Sequence, residues 1–375
     1  MMGPVEPVYR SSWCDIDLTA FRTNLDRLRP GPPTMALLVV KANAYGHGLT
    51  QIAAEAAAAG IDMLGVATIG EADALLAARI PTPILIMCAL DRREIELAVE
   101  HEIHFLAWRP EQFGWAAHAA ERTGRRPRIH VEIDTGMARS GVAPADLAHL
   151  LDSLSTDDHA SIVGLASHFF GADLETTGSA RQQLDAFQQS VTVAAKYDLR
   201  PIVHIANSPG TIRLPDSHLG LVRLGIAAYG IPPSEHTPLP DGVRPVLEWK
   251  AHITNITEVA PGHGVGYAWR YVADTHQRVA TLAIGYADGF HRHPLGVNVV
   301  LLHGARCPVV GSVFMDQCLV RVPESVPAQV GDPAVLLGQD GDAVLTADDL
   351  AERWGTNSYD VISGIRGRVP RRYVR

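Results

Sequence analysis

The chain has 375 residues, of which 47% are hydrophobic and 19% are charged, and its net charge is −9 from 32 basic and 41 acidic residues. This composition excludes a disordered chain, and the length suits two globular domains. No basic stretch indicates nucleic-acid binding, and no apolar run approaches the roughly 20 residues that span a bilayer. Four scattered cysteines show neither metal-ligand nor redox spacing, so we expect a cytoplasmic protein that contacts neither nucleic acid nor membrane.

The first two-thirds of the chain alternates short apolar runs with amphipathic helical segments. Segment 49–59 ends before Gly60, a helix-ending signal, and segment 182–197 has its apolar residues along one face. Pro209 and Pro215 make the helix between the last two strands the weakest of the set. Eight strand-plus-helix units predict an α/β fold, a (β/α)8 TIM-type barrel, with strands at 36–40, 63–67, 84–87, 104–107, 129–133, 162–167, 202–205 and 221–226.

A barrel of this kind carries its active site at the carboxyl ends of its strands. Five polar residues follow or end different strands there, and each alone is consistent with a solvated loop residue. Convergence of all five on one rim predicts a site built from Lys41, Arg139, His168, Ser208 and Arg223.

Lys41 is the most informative of these residues because it ends a buried apolar strand. A buried ammonium is costly unless it is paired or neutral, and a neutral amine forms a Schiff base with an aldehyde. The alternative is a lysine whose charged end merely extends past the strand into water.

The pattern changes after about residue 245. Closely spaced strand-like segments follow, and the only long helix is predicted at 348–354, where Thr346 and Asp349 fit a capping box. We therefore predict two domains, a barrel at residues 1–245 and a mostly-β domain at residues 246–375, with β strands at 252–259, 279–284, 297–302, 308–313, 318–322 and 334–337.

Several motifs, in order along nearly the whole chain, resemble those of the alanine racemases, a fold-type III family that binds pyridoxal 5'-phosphate. The first is Val40-Lys41-Ala42-Asn43-Ala44-Tyr45-Gly46-His47-Gly48. The others are Asp134-Thr135-Gly136-Met137-Ala138-Arg139, Ala206-Asn207-Ser208, Val222-Arg223-Leu224-Gly225-Ile226, Val265-Gly266-Tyr267, Ile284-Gly285-Tyr286-Ala287-Asp288-Gly289, Met315-Asp316-Gln317, Tyr359 and Arg368-Val369-Pro370-Arg371.

The resemblance implies roles for the matching residues. Lys41 would hold pyridoxal 5'-phosphate as a Schiff base and act as one of two bases, and Tyr267 would be the opposite base, supplied by the partner subunit of a homodimer. Arg223 would hydrogen-bond the cofactor's pyridine nitrogen, with His168 as its neighbour. The phosphate would lie among Tyr45, Ser208, Gly225, Ile226 and Tyr359. Arg139 would lie near the cofactor's 3-oxygen and the substrate carboxylate, and the Met315 N–H would donate to that carboxylate. Tyr286, on the substrate side, and Tyr359 would narrow the entrance, with Asp316 in a supporting place.

These residue types suit racemisation. Removing an α-proton leaves an electron pair that the cofactor accepts, and inversion needs a base on each face. An arginine at the pyridine nitrogen stays protonated and donates to a neutral ring. Because a tyrosine has an ordinary pKa of about 10, nearby cations must help Tyr267 to ionise, and His168 and Arg139 are the candidates.

Three positions depart from the family's usual pattern. Glu132 stands where many members carry a carbamylated lysine, so we expect its carboxylate to hold Arg139, unless Glu132 points elsewhere and another anion fills the site. Phe314 stands where a small residue is common, and Ser312 replaces an arginine of the entrance region. These changes leave the preferred side chain of the substrate open.

The leading hypothesis is an amino-acid racemase that interconverts L- and D-alanine and supplies D-alanine for peptidoglycan. A racemase for serine or a non-proteinogenic amino acid is the alternative. A decarboxylase would be expected to carry a carboxylate, not Arg223, at the ring nitrogen. A non-catalytic pyridoxal-phosphate-binding protein would lack the second domain, in which Tyr267, Tyr286 and Met315 lie.

Overall fold

The computed structural model describes residues 10–292 and 296–375. They form two compact units, one of residues 20–244 and one of residues 10–19 together with 245–375. We call them the barrel unit and the β unit. No helix in the described ranges is both long and apolar enough to cross a membrane.

The barrel unit contains eight parallel strands in chain order, as predicted. Each of the first six strands pairs with the next, and the first also pairs with the eighth, with Ala36 opposite Val222. Between the seventh and eighth strands the Gly220 N–H donates to the Val203 carbonyl (3.0 Å). The (β/α)8 prediction is therefore confirmed. The strands are Met35–Val39, Met63–Val66, Ile84–Ile86, His104–Ala107, Arg128–Glu132, Ile162–Ala166, Ile202–His204 and Leu221–Leu224.

Several barrel helices begin where a side chain caps their free N–H groups. Reciprocal capping boxes join Thr68 to Glu71 and Asp91 to Glu94. The link between the last two strands holds only a six-residue helix, with Pro209 in its first turn, where the missing N–H costs nothing. The helices are Leu18–Leu28, Leu49–Ala58, Ile69–Ala77, Arg92–Glu100, Pro110–Thr123, Leu147–Asp152, Thr156–Ser161, Gly178–Ala195 and Ser208–Arg213.

The β unit consists mostly of β strands, as predicted, and most of them pair antiparallel. Its longest strand pairs with Gln277–Leu282 and also with Pro333–Asp340. The second pairing joins two strands that are distant in the strand order, so the sheet closes on itself. The helix at the expected place has the Thr346–Asp349 capping box. Its principal strands and helices are Leu247–Val259, Gln277–Leu282, Val299–Leu302, Ala305–Val310, Cys318–Val322, Pro333–Asp340, Ala343–Leu345, Arg371–Val374, Ala347–Trp354 and Ser358–Ser363, and two-residue strands lie at Gly264–Val265 and Tyr271–Val272.

The expected domain boundary needs one correction. The strand Ser12–Asp17 belongs to the β unit, although the sequence analysis assigned residues 1–245 to the barrel, and residues 1–9 lie outside the described part. The reason is hydrogen bonding to distant partners. This strand pairs antiparallel with Leu247–Val259 and parallel with Arg371–Val374, so it completes the second sheet.

Candidate active site

Lys41 directly follows the first barrel strand and opens an unusual turn. The next four residues, Ala42 to Tyr45, all have positive φ angles between 52° and 57°. Consecutive left-handed residues other than glycine cost about 1–2 kcal/mol each, and such strain is typical of functional sites. The sequence predicted a turn at this place but not its hand, because none of the four residues is a glycine.

Side chains from neighbouring segments hold this left-handed turn. The Ala42 N–H donates to the Glu71 carboxylate (2.6 Å), and the Asn43 side-chain carbonyl accepts the Leu49 N–H (2.9 Å). Gly46 then ends the turn at φ 82°. The turn fixes the positions of Lys41 at its beginning and Tyr45 at its end.

Tyr45, Ser208 and Gly225 form a small cradle in the barrel unit. The Gly225 N–H donates to the Ser208 hydroxyl (2.8 Å). A Cβ atom at Gly225 would lie 3.0 Å from the Tyr45 hydroxyl and 3.6 Å from the Ser208 hydroxyl, so the missing side chain leaves room beside two hydroxyl groups. The Tyr45 ring packs against that of Tyr229, with centroids 5.0 Å apart. Ile226, buried directly after Gly225, continues the same segment.

Arg223 is buried in the eighth barrel strand, with only 6% of its surface exposed. Its Nη2 donates to the Ser167 carbonyl (2.7 Å) and the Ile205 carbonyl (3.1 Å). Its two terminal nitrogens also contact imidazoles. Nη1 lies 2.7 Å from the His204 Nδ1, and Nη2 lies 3.1 Å from the His168 Nδ1. Burial lowers the pKa of Arg223 to about 10, so the guanidinium stays charged at neutral pH.

His168 is a neutral imidazole at neutral pH. Burial, reinforced by the charges of Arg223 and Arg139, lowers its pKa to about 3. Since Arg223 donates to its Nδ1, its proton lies on Nε2. The expectation that a cationic His168 helps a tyrosine to ionise is therefore wrong, and Arg139 is the remaining cation of the two.

Glu132 and Arg139 line one small cavity together with His168. Burial raises the pKa of Glu132 to about 7, against the lowering effects of Arg223 first and Arg139 second. No ion pair within 4.0 Å joins Glu132 to Arg139 in the part of the chain that the structure describes. The two residues line the same cavity, but the structure does not show the direct ion pair that we expected between them.

The loop that carries Arg139 is shaped by one aspartate. The Asp134 Oδ1 accepts the N–H groups of Gly136 (2.9 Å), Met137 (2.9 Å) and Ala138 (3.1 Å). This explains why an aspartate begins the motif that ends at Arg139: its side chain fixes the backbone that leads to the guanidinium.

In the β unit, Tyr267 is 75% exposed and its ring meets that of Phe314. The two centroids lie 5.1 Å apart at 81°, an edge-to-face pair. A Cβ atom at Gly266 would lie 3.3 Å from Phe314, so the glycine allows the ring to approach the backbone closely. Both aromatic residues line a cavity of about 690 Å³, whose other walls include Tyr286, Arg292, Ser312, Met315 and Asp316.

Backbone hydrogen bonds join the Tyr286 turn to the Met315 segment. The Tyr286 N–H donates to the Phe314 carbonyl (3.0 Å) and the Ala287 N–H to the Met315 carbonyl (3.0 Å). Asp316 pairs with Arg368, which also contacts the fully buried Asp288. Arg368 thus links Asp316 in the cavity wall to the buried Asp288.

The predicted residues are divided between the two units. The barrel unit holds Lys41, Tyr45, Glu132, Arg139, His168, Ser208, Arg223, Gly225 and Ile226. The β unit holds Tyr267, Tyr286, Met315, Asp316 and Tyr359, and Tyr359 lies in the short helix Ser358–Ser363. Sequence reasoning missed Glu71, which holds the Lys41 turn, and His204, which contacts Arg223. Only the position of His204 at the end of the seventh strand signalled it.

A barrel with a lysine at the rim of its first strand, followed by a β unit with an exposed tyrosine, is the architecture of an amino-acid racemase. Residues 16–233 match the model of the alanine racemase N-terminal domain, and residues 246–373 match that of its C-terminal domain. The chain belongs to the alanine racemase family.

Known alanine racemases match this chain over nearly its full length. The chain is 37% identical to alanine racemases from Symbiobacterium thermophilum and Desulfovibrio desulfuricans over 97% of its own length and 97% and 98% of theirs, respectively. It resembles the crystal structure of the enzyme from D-cycloserine-producing Streptomyces lavendulae with a TM-score of 0.92, at 37% identity and 98% coverage of both chains. The Bacillus anthracis alanine racemase, solved with bound L-Ala-P, also gives a TM-score of 0.92, at 33% identity over 98% of this chain and 96% of that one.

Proposed function

We propose that this protein racemises alanine between its L and D forms with pyridoxal 5'-phosphate bound to Lys41. The cradle of Tyr45, Ser208 and Gly225 carries the proposal. The glycine leaves open the space that a Cβ atom would fill 3.0 Å from one hydroxyl and 3.6 Å from the other. Hydroxyl groups around such a space suit a phosphate, which is a strong hydrogen-bond acceptor. The residues present therefore fit the group.

The other barrel residues fit the rest of the cofactor. Arg223 is a charged donor that cannot act as an acceptor, so it would hold a pyridine nitrogen that carries no proton. The chemistry that the group supplies when bound is an electron sink for the pair left by α-proton removal. Arg139, whose loop Asp134 fixes, would orient the substrate carboxylate together with the Met315 N–H. Tyr286 and Tyr359, both partly exposed, would narrow the entrance.

Inversion requires a base on each face of the α-carbon, and the chain offers a lysine and a tyrosine. Lys41 would take or return the proton on one face and Tyr267 on the other. Tyr267 stands three-quarters exposed on the β unit, so its hydroxyl is available to a second copy of the chain. We infer a homodimer with two composite sites, in which residues 246–375 of one subunit serve the barrel of the other.

The test is isotope exchange and chirality measured together. The protein loaded with pyridoxal 5'-phosphate is incubated in heavy water with a panel of L-amino acids that includes alanine and serine. The expected result is D-alanine that carries α-deuterium, with a Lys41→Ala variant inactive and the Tyr267→Phe variant losing inversion. Deuterium uptake without inversion in the native protein would contradict Tyr267 as the second base. If the protein did not react with alanine but inverted another amino acid, that amino acid would replace alanine as the proposed substrate.

One observation favours the second candidate, a racemase for a different amino acid. Phe314 and Ser312 line the cavity that also contains Tyr267 and Met315. A phenylalanine in place of a small residue reduces the volume of this cavity, whereas a serine in place of an arginine removes a charge from it. The panel above ranks the substrates directly by kcat/KM.

A further inference from the structure

Three histidines form a hydrogen-bonded chain inside the barrel that ends on Arg223. The His104 Nδ1 lies 2.9 Å from the His130 Nε2, and the His130 Nδ1 lies 2.8 Å from the His204 Nε2. The His204 Nδ1 lies 2.7 Å from the Arg223 Nη1. The histidine chain runs from the fourth barrel strand through the fifth and the seventh to Arg223 on the eighth, and each of its histidines is at most 7% exposed.

His130 on the fifth strand reaches His204 on the seventh by passing over Gly164, which lies on the sixth strand between them. A Cβ atom at Gly164 would lie only 2.0 Å from the His130 Nδ1. Any larger residue there would displace the imidazole from the position in which it meets His204. The contact between His130 and His204 thus depends on an absent side chain, which indicates a built arrangement rather than incidental packing.

The charge of Arg223 gives the chain a direction. A guanidinium only donates, so the His204 Nδ1 must accept, and its proton lies on Nε2. That N–H donates to the His130 Nδ1, which places the His130 proton on Nε2 as well. The His130 N–H then donates to the His104 Nδ1. Burial lowers the pKa of all three imidazoles, in agreement with three neutral rings in one tautomer.

We propose that His130 and His104 are positioning residues that act through His204 to hold the Arg223 guanidinium. Donation from one imidazole nitrogen increases the basicity of the other, so each link strengthens the next acceptor toward Arg223. The chain orients and does not conduct protons, because it ends at a group that does not give up its proton. The proposal rests on the proposed function in one respect: the atom toward which Arg223 is held is the pyridine nitrogen of the cofactor.

The first test reads the tautomers directly in the full-length protein loaded with pyridoxal 5'-phosphate. Histidine labelled with ¹⁵N in the ring reports which nitrogen carries the proton, and single variants assign the signals. The expected result is a neutral ring protonated at Nε2 for His104, His130 and His204 near neutral pH. A ring protonated at Nδ1, or a charged ring, at any of the three would overturn the proposal.

The second test compares His130→Leu with His130→Gln, whose amide keeps one donor and one acceptor. Val131→Ala, a buried change on the adjacent position of the same strand, controls for lost packing. In His130→Leu we expect kcat for alanine to fall about tenfold with KM unchanged. We also expect faster rotation of the Arg223 guanidinium, measured by ¹⁵N exchange in arginine-labelled protein. His130→Gln should recover most of both properties.

The outcomes separate this proposal from the proposed function. Equal losses in His130→Leu and Val131→Ala, or unchanged guanidinium rotation in His130→Leu, would contradict the positioning role. If His130→Leu does not fold, His104→Leu at the far end of the chain takes its place, with the same measurements and the same criteria. A native protein with the expected tautomers but no racemisation would refute the proposed function alone, because neither NMR measurement depends on turnover.

Discussion

Replacing Phe314 by alanine tests whether the aromatic pair in the β unit orients Tyr267. Within its own subunit the Tyr267 ring packs edge-to-face against the Phe314 ring, with the centroids 5.1 Å apart and the planes at 81°. An edge-to-face pair contributes about 0.5–1.5 kcal/mol beyond area burial. If that energy is used to hold the base in its reactive orientation, kcat for alanine should fall about two- to thirteenfold.

The assay is racemisation of alanine followed in both directions, since Tyr267 is expected to abstract the proton in only one of them. The isotope effect of α-deuterated substrate should rise in the direction that uses Tyr267 as the base, because proton transfer becomes slower there. Phe314→Tyr keeps the ring and controls for the loss of volume. Phe314→Ala should also widen the cavity and raise kcat/KM for larger substrates relative to alanine. An unchanged kcat in both directions would refute the orienting role of Phe314.

Three further predictions concern other parts of the site. Burial raises the pKa of Glu132 from 4.5 to about 7, so the native protein loses stability as pH rises through this range. Glu132→Gln should therefore have a free energy of unfolding roughly 3 kcal/mol above that of the native protein at about pH 8, and no such advantage at about pH 4. Urea unfolding of the cofactor-free proteins measures this difference, and a pH-independent difference would contradict it. Gly225→Ala places a methyl group 3.0 Å from the Tyr45 hydroxyl. We expect the affinity for pyridoxal 5'-phosphate to fall about tenfold or more, because one hydrogen bond to the charged phosphate would be lost, and fluorescence titration measures this affinity. Ala42→Gly relieves a left-handed residue and should raise the free energy of unfolding by up to about 1 kcal/mol, whereas Ala54→Gly in a right-handed helix should lower it by about 1 kcal/mol. Equal losses in both alanine variants would argue against strain in the turn.

The barrel could be predicted because its information is local. Most of its strands are short runs of mainly apolar, buried residues, and several of its helices begin at a capping residue such as Thr68 or Asp91. The strand Ser12–Asp17 could not be predicted in this way. It carries two aspartates, and its hydrogen-bonding partners lie more than 200 residues away, so only the folded sheet shows where it belongs.

The left-handed turn after Lys41 escaped prediction for a different reason. Residues in this conformation are usually glycine, but Ala42 to Tyr45 are not, and only Gly46 at the end of the turn is. It is held by Glu71 and by the contact between Asn43 and Leu49, which are determined by tertiary structure and not by local preference. The histidine chain was hidden likewise, because His104, His130 and His204 stand on separate strands and meet only where Gly164 leaves space.

The surroundings of Arg223 explain why histidine, and not aspartate, stands at position 204. The groups that accept its hydrogen bonds are two backbone carbonyls and two neutral imidazoles, none of which carries a charge. Glu132 is near enough to raise the pKa of Arg223, yet within the described ranges no carboxylate pairs with the guanidinium. A carboxylate at position 204 would occupy the same N–H groups and neutralise the charge. Neutral acceptors instead orient the guanidinium and leave its charge uncompensated, so its full electrostatic effect is available to a ligand in the barrel.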